Sequence, residues 1–163
     1  MQPVKISVQS GALAAIGVIA FIDSFLPWYT VTEKSGATGL LTRYAASGNA
    51  WDVGAGAWIP VIVLVAVGIM AALPAIGRGL PARQGHVTNL VLAAVATVIV
   101  LLRWLTYPSI PVGESAFIDA GADVGTYLGV LLCLAATGAA YLGFTANGGT
   151  LDSFTKIFRT PSA

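Results

Sequence analysis

Four apolar runs punctuate the chain, at about 8–26, 53–76, 87–105 and 124–144, and the second and fourth carry no charged residue. Each is close to the ~20 residues an α-helix needs to cross a hydrocarbon core about 30 Å thick. In lipid such a run satisfies its own backbone only as a helix, so the β-branched third run is expected to be helical as well. Composition agrees with this reading. Of 163 residues, 56% are apolar and 9% charged, where a soluble domain carries about a quarter; mean hydropathy is +0.83. The expected fold class is all-α, an integral membrane four-helix bundle forming one domain over residues 1–146, with a cytoplasmic tail over 147–163.

The first run is expected to be retained. The bulky residues Phe25-Leu26-Pro27-Trp28-Tyr29 follow it, where a signal-peptide cleavage site wants small ones. Pro60 and Pro74 are expected near the ends of the second span, where they cost little. Lys5, Arg78, Arg83, Lys156 and Arg159 then fall on one side, against Lys34 and Arg43 on the other, with Arg103 at the outer end of a span. By the positive-inside rule both termini are cytoplasmic in the plasma membrane. Trp28, Tyr29, Trp51, Trp58, Trp104 and Tyr107 gather near the outer boundary as an aromatic belt. Asp52-Val53-Gly54 and Asp123-Val124-Gly125 open the second and fourth spans alike, which suggests a hairpin repeat. Asp52 and Asp123 are expected to N-cap their helices. In the tail, Leu151, Phe154, Ile157 and Phe158 recur at helical spacing, which predicts a short amphipathic interfacial helix.

Several function classes fall away on residue counts. A net charge of +1 offers no basic face for nucleic acid. One cysteine, Cys133, makes no internal disulfide and no thiolate cluster, and one histidine, His86, makes no bis-histidine haem within a monomer and no H-E-x-x-H zinc site. His86 lies at the cytoplasmic start of the third span, far from the outer acids, so no Ser-His-Asp triad assembles. The outer acids Glu33, Asp52, Glu114, Asp119 and Asp123 lack the spacing of a calcium loop. No catalytic residue, cofactor or metal ligand is expected.

Two features remain. Asp23, near the outer end of span one, and Arg103, near the outer end of span three, lie at matching depth. A lone charge there is costly, so they are expected to form a buried ion pair or to share a polar pocket with Trp28, Trp104 and Tyr107. In span four, Gly125, Gly129, Cys133 and Thr137 recur every fourth residue, a ridge that permits close helix approach. The expected use is packing against Gly11, Ala14 and Ala15 of span one, with docking onto a second copy or a larger complex as the alternative.

The residues Phe25-Leu26-Pro27-Trp28-Tyr29, the loop ending Ala50-Trp51-Asp52 and the Val-, Leu-, Ala- and Gly-rich second helix resemble small uncharacterised four-span membrane proteins of actinobacteria. The resemblance covers mainly the first half of the chain and implies a plasma-membrane protein without a catalytic residue. A Trp early in the first outer loop and Gly39-Leu40-Leu41 are also similar to claudin-like tetraspans, from which the chain departs in lacking a cysteine pair in that loop.

The expected function is that of a non-enzymatic accessory or assembly subunit, acting through span four and the C-terminal helix. Its partners would be the lipid bilayer and a homo-oligomer or larger membrane complex. The alternative is a small outward-facing binding or transport protein with its pocket at Asp23 and Arg103.

Overall fold

The computed structural model describes residues 7–33, 46–107 and 118–150. Their order is α1 (Val8–Asp23), β1 (Tyr29–Glu33), β2 (Ala46–Gly48), α2 (Ala55–Ala72), a 3-10 turn (Leu73–Ile76), α3 (Ala82–Leu105), β3 (Ile118–Ala122) and α4 (Val124–Ala146). The molecule is mostly helical, and three helical stretches, Ala55–Ile76, Arg83–Leu105 and Val124–Ala146, are long and apolar enough to cross a membrane. α1 is shorter than the expected first span. It has 16 residues, about 24 Å, and Pro27 lacks the N–H that would carry the helical ladder on to the Asp23 carbonyl. The predicted amphipathic helix of the tail lies outside the described residues.

Local chemistry sets the helix ends. The Ser7 hydroxyl caps α1 by accepting the Ser10 N–H at 3.1 Å. The 3-10 turn closes on Gly77, whose φ of 70° is left-handed, and Pro81 stands immediately before α3. Pro60 sits inside α2, in its second turn, deeper than expected. It deprives the Gly56 carbonyl of its usual helical donor, a loss that membrane helices tolerate.

α1 packs against α2 and α4, and α3 against α2 and α4. α1 and α2 approach each other closely at two glycines. A Cβ on Gly17 would stand 3.2 Å from the Gly68 Cα, and one on Gly68 would stand 3.1 Å from the Gly17 Cα, so the two backbones touch. Ala57, Val61, Leu64 and Val67 of α2, Ala93, Ala96 and Val100 of α3, and Ala136 and Ala140 of α4 fill the core. Large side chains such as Val18, Ile22, Leu102, Leu131 and Leu142 face outward.

The expectation of an all-α fold needs correction. The connections after α1 and before α2 and α4 form a three-stranded antiparallel sheet in the order β2-β1-β3. β1 pairs with β2 in the register Tyr29↔Gly48, and with β3 from Tyr29↔Ala122 to Glu33↔Ile118. The β-branched run Thr30-Val31-Thr32 suits the central strand. The sheet therefore ties the connection after α1 to the connection before α4.

Candidate functional site

α1 turns a stripe of Leu13, Gly17, Ala20 and Asp23 inward, at the three- and four-residue spacing of one helix face. Asp23, its last residue, is 1% exposed. Neither carboxylate oxygen has a hydrogen-bond partner. Trp28 lies over it, 1% exposed, its indole N–H donating to the Asp23 main-chain carbonyl at 3.1 Å.

The Trp28 backbone is held from three directions. Its N–H donates to the Gly48 carbonyl at 2.8 Å, and its carbonyl accepts the Asp123 N–H at 3.1 Å. The same carbonyl meets the Thr126 hydroxyl at 2.6 Å and the Tyr107 hydroxyl at 3.0 Å, and those two hydroxyls also meet each other. The indole rests on α4 where two glycines make room. A Cβ on Gly125 would overlap the Trp28 ring, and one on Gly129 would stand 2.7 Å from its Cη2 and 3.4 Å from Asp23 Oδ2. The carboxyl is thus enclosed by Trp28 and by α4 at Gly129. Trp28 is a core residue and not part of an interfacial belt, because strand pairing on both sides draws its backbone over the helix ends.

Arg103 does not pair with Asp23. Its Nη2 donates to the Val53 carbonyl at 2.9 Å, its guanidinium lies 4.7 Å over the Tyr107 ring, and its stem packs on Gly56. A carbonyl left open before α2 and an aromatic face take up the cation. The Tyr107 ring stacks on Tyr29 at 5.4 Å. Burial pushes the Tyr107 phenol above its ordinary pKa, against the opposing effects of the Thr126 hydrogen bond and Arg103. Trp104 lies on the outside, 39% exposed, edge-on to Tyr127. The expected pocket of Asp23, Arg103, Trp28, Trp104 and Tyr107 is therefore not one cavity. Trp28 and Tyr107 meet through the Trp28 carbonyl, Arg103 and Tyr107 meet face-on, and Trp104 stands apart.

The two predicted caps differ. Asp123 caps α4, its Oδ1 accepting the Val124 N–H at 2.6 Å. Its other oxygen accepts the Thr30 hydroxyl. That bond first, and the Val124 N–H second, hold its carboxyl below the usual range. Asp52 does not cap α2. It closes a turn, accepting the Asn49 N–H at 3.1 Å while Asn49 Oδ1 accepts the Trp51 N–H at 2.9 Å. Gly54, with φ 102°, takes the cap position, where an Asp is disfavoured. The matching Asp-Val-Gly triplets thus serve different local roles.

The ridge on α4 is used within the chain. Gly125 and Gly129 seat Trp28, in place of the expected Gly11, Ala14 and Ala15; around Gly11 there is open space. Below them the Thr97 hydroxyl of α3 meets the carbonyls of Ala93 at 2.9 Å and Cys133 at 3.0 Å, and the Thr137 hydroxyl at 2.9 Å. Residues missed by sequence reasoning are Thr97, Thr126 and Ser24, the last accepting the Trp51 indole N–H at 3.1 Å. A hydroxyl in an apolar run, as at Thr97, was the available signal. At the other end of the molecule, His86 packs against α4 near Gly143.

Among the described residues no three of His, Cys, Asp and Glu come together to hold a metal ion. No family model, curated protein or solved structure matches the chain. Three long apolar helices make it a membrane-embedded protein.

Proposed function

We propose that the chain is a four-helix integral protein of the plasma membrane with both termini cytoplasmic, and that it works as a non-enzymatic accessory or assembly subunit. The observation that carries the reading is α1. At 16 residues it is about 24 Å long against a hydrocarbon core of about 30 Å, and a short hydrophobic element is accommodated in part by association with neighbours. Its outer face carries Val18, Phe21 and Ile22, all exposed. Beside them runs an apolar groove of about 440 Å³ against Val65, Gly68 and Ile69 of α2. The ridge of α4 is filled by Trp28 and by α3, so α1 replaces span four as the docking face. Arg78 and Arg83, which flank the α2–α3 connection, support the orientation.

The test uses the protein in its native membrane. Cys133 is buried and is the chain's one cysteine, so a Cys133→Ala background accepts single reporters. Val18→Cys should crosslink to a neighbouring transmembrane helix, of a second copy or of a larger complex, and Leu131→Cys should not. Absence of crosslinking at Val18, with the protein migrating as a monomer in mild detergent, would sink the reading. The alternative, a binding or transport protein, is favoured by one observation only, the enclosed Asp23 carboxyl.

A further inference from the structure

Asp23 presents a chemical problem that the docking reading does not address. Its carboxyl is buried and neither oxygen has a partner. An ionised carboxylate in that state is among the most costly arrangements a membrane protein can hold. Buried polar groups are ordinarily satisfied, and one that is not asks for a ligand.

The surroundings restrict what that ligand is. Neither oxygen has surface open to a sphere the size of water, so no cation or amine reaches the carboxyl while Trp28 and Gly129 keep their places. Among the described residues no protein charge serves instead. The rest of α1 holds no charged residue, and α2 holds no titratable one. From α3, Arg103 is engaged with Val53 and Tyr107, while His86 packs on Gly143 at the far end. From α4, Cys133 is the titratable side chain beside Asp23, and Tyr127 and Tyr141 face outward. On the sheet side, Tyr29 stacks on Tyr107 and Asp123 is taken by Thr30 and Val124.

From this geometry we infer that Asp23 is a proton-binding site, loaded in the closed arrangement, and that release of the proton unseats Trp28. The balance is simple: the carboxylate and one proton from water give the neutral carboxylic acid, with no other bond made or broken. Loaded, the site holds no charge and the indole closes over it. Emptied, the carboxylate needs water or a cation, and both require the space that Trp28 fills against Gly125 and Gly129.

Two measurements on the full chain in lipid nanodiscs test this. Infrared spectra at about pH 6, where ordinary carboxylates with pKa near 4 are ionised, should show a protonated-carboxyl band that Asp23→Asn abolishes. Absence of the band from the native chain, or its persistence in Asp23→Asn, would overturn the proposal. So would its loss at fixed pH when sodium replaces choline, which would mark a cation site. The second measurement keeps Trp28 as the sole indole through Trp51→Phe, Trp58→Phe and Trp104→Phe. Raising the pH should increase iodide quenching of its emission, and Asp23→Asn should keep it shielded throughout. A pH response that survives Asp23→Asn overturns the coupling. Failure of Asp23→Asn to fold also counts against the proposal, because the amide has the shape and neutrality of the loaded acid.

Discussion

Trp28 and Gly129 form one joint in two parts: the indole Cη2 lies 2.7 Å from the point where a Cβ on Gly129 would stand. Neither residue is interchangeable at that joint. The ring needs the bare backbone, and the bare backbone leaves a gap without the ring.

Gly129→Ala should therefore lower stability by about 1–3 kcal/mol, the usual cost of overpacking a closed core. Thermal unfolding of the purified protein in detergent would show it. Gly138→Ala, on the same helix but with nothing within 4 Å, should be neutral or raise stability by up to about 1 kcal/mol. Trp28→Phe should recover part of the Gly129→Ala loss, since the smaller ring withdraws from the added methyl. Equal losses at positions 129 and 138 would contradict the seating of Trp28.

The Thr97 hydroxyl meets three groups on α3 and α4. Hydrogen bonds between membrane helices average about 0.6 kcal/mol, so Thr97→Val should cost roughly 0.5–1.5 kcal/mol and Thr137→Val less. A double-mutant cycle between the two isolates their direct contact, and its coupling energy should be positive and near that average.

Asp23 and Arg103 share no partner, which fixes the outcome of a second cycle. Asp23→Asn and Arg103→Leu should combine additively within about 0.5 kcal/mol, and the double variant should not regain the folded yield of the native chain. Recovery in the double variant would restore the ion pair that their matching depth suggests.

Asp123 supplies a dependence on pH. Its folded-state pKa is depressed, by the Thr30 hydroxyl and the Val124 N–H, so the stability it contributes is present above the ordinary carboxylate pKa near 4 and is lost as pH falls through the lower folded value. The melting temperature of the native chain should fall in acid by more than that of Asp123→Asn. Parallel curves for the two proteins would show that the Thr30 contact is not formed in solution.

What the sequence reveals here is depth and period. Four apolar runs predict four helices, and an aspartate directly before an apolar run predicts the Asp123 cap. Azimuth and long-range pairing are less visible. Asp23 and Arg103 match in depth, but depth says nothing about the nearer Val53 carbonyl or the Tyr107 face. The strands have five, three and five residues, too short for alternation to stand out beyond Thr30-Val31-Thr32, and they find their partners across the helices. Trp28 reads as an interfacial aromatic because Pro27-Trp28-Tyr29 follows a span. Only the pairing of its neighbours with Gly48 and Ala122 carries it inward. Asp52 fails as a cap for a local reason, since Asn49 offers it a tighter turn and Gly54 adopts a backbone that L-residues avoid.

The sheet has a consequence for biosynthesis. Thr30 and Asp123 are 93 residues apart in sequence, and a chain emerges from the ribosome N-terminus first. When α1, β1, β2 and α2 have been made, β1 still has an open edge, and Trp28 has no glycine bed to enter. β3 closes the edge and α4, directly after it, brings the glycines. A chain truncated before Ile118 would thus display an unpaired strand edge on β1 and a loose indole, a mark by which quality control can tell an unfinished molecule from a finished one.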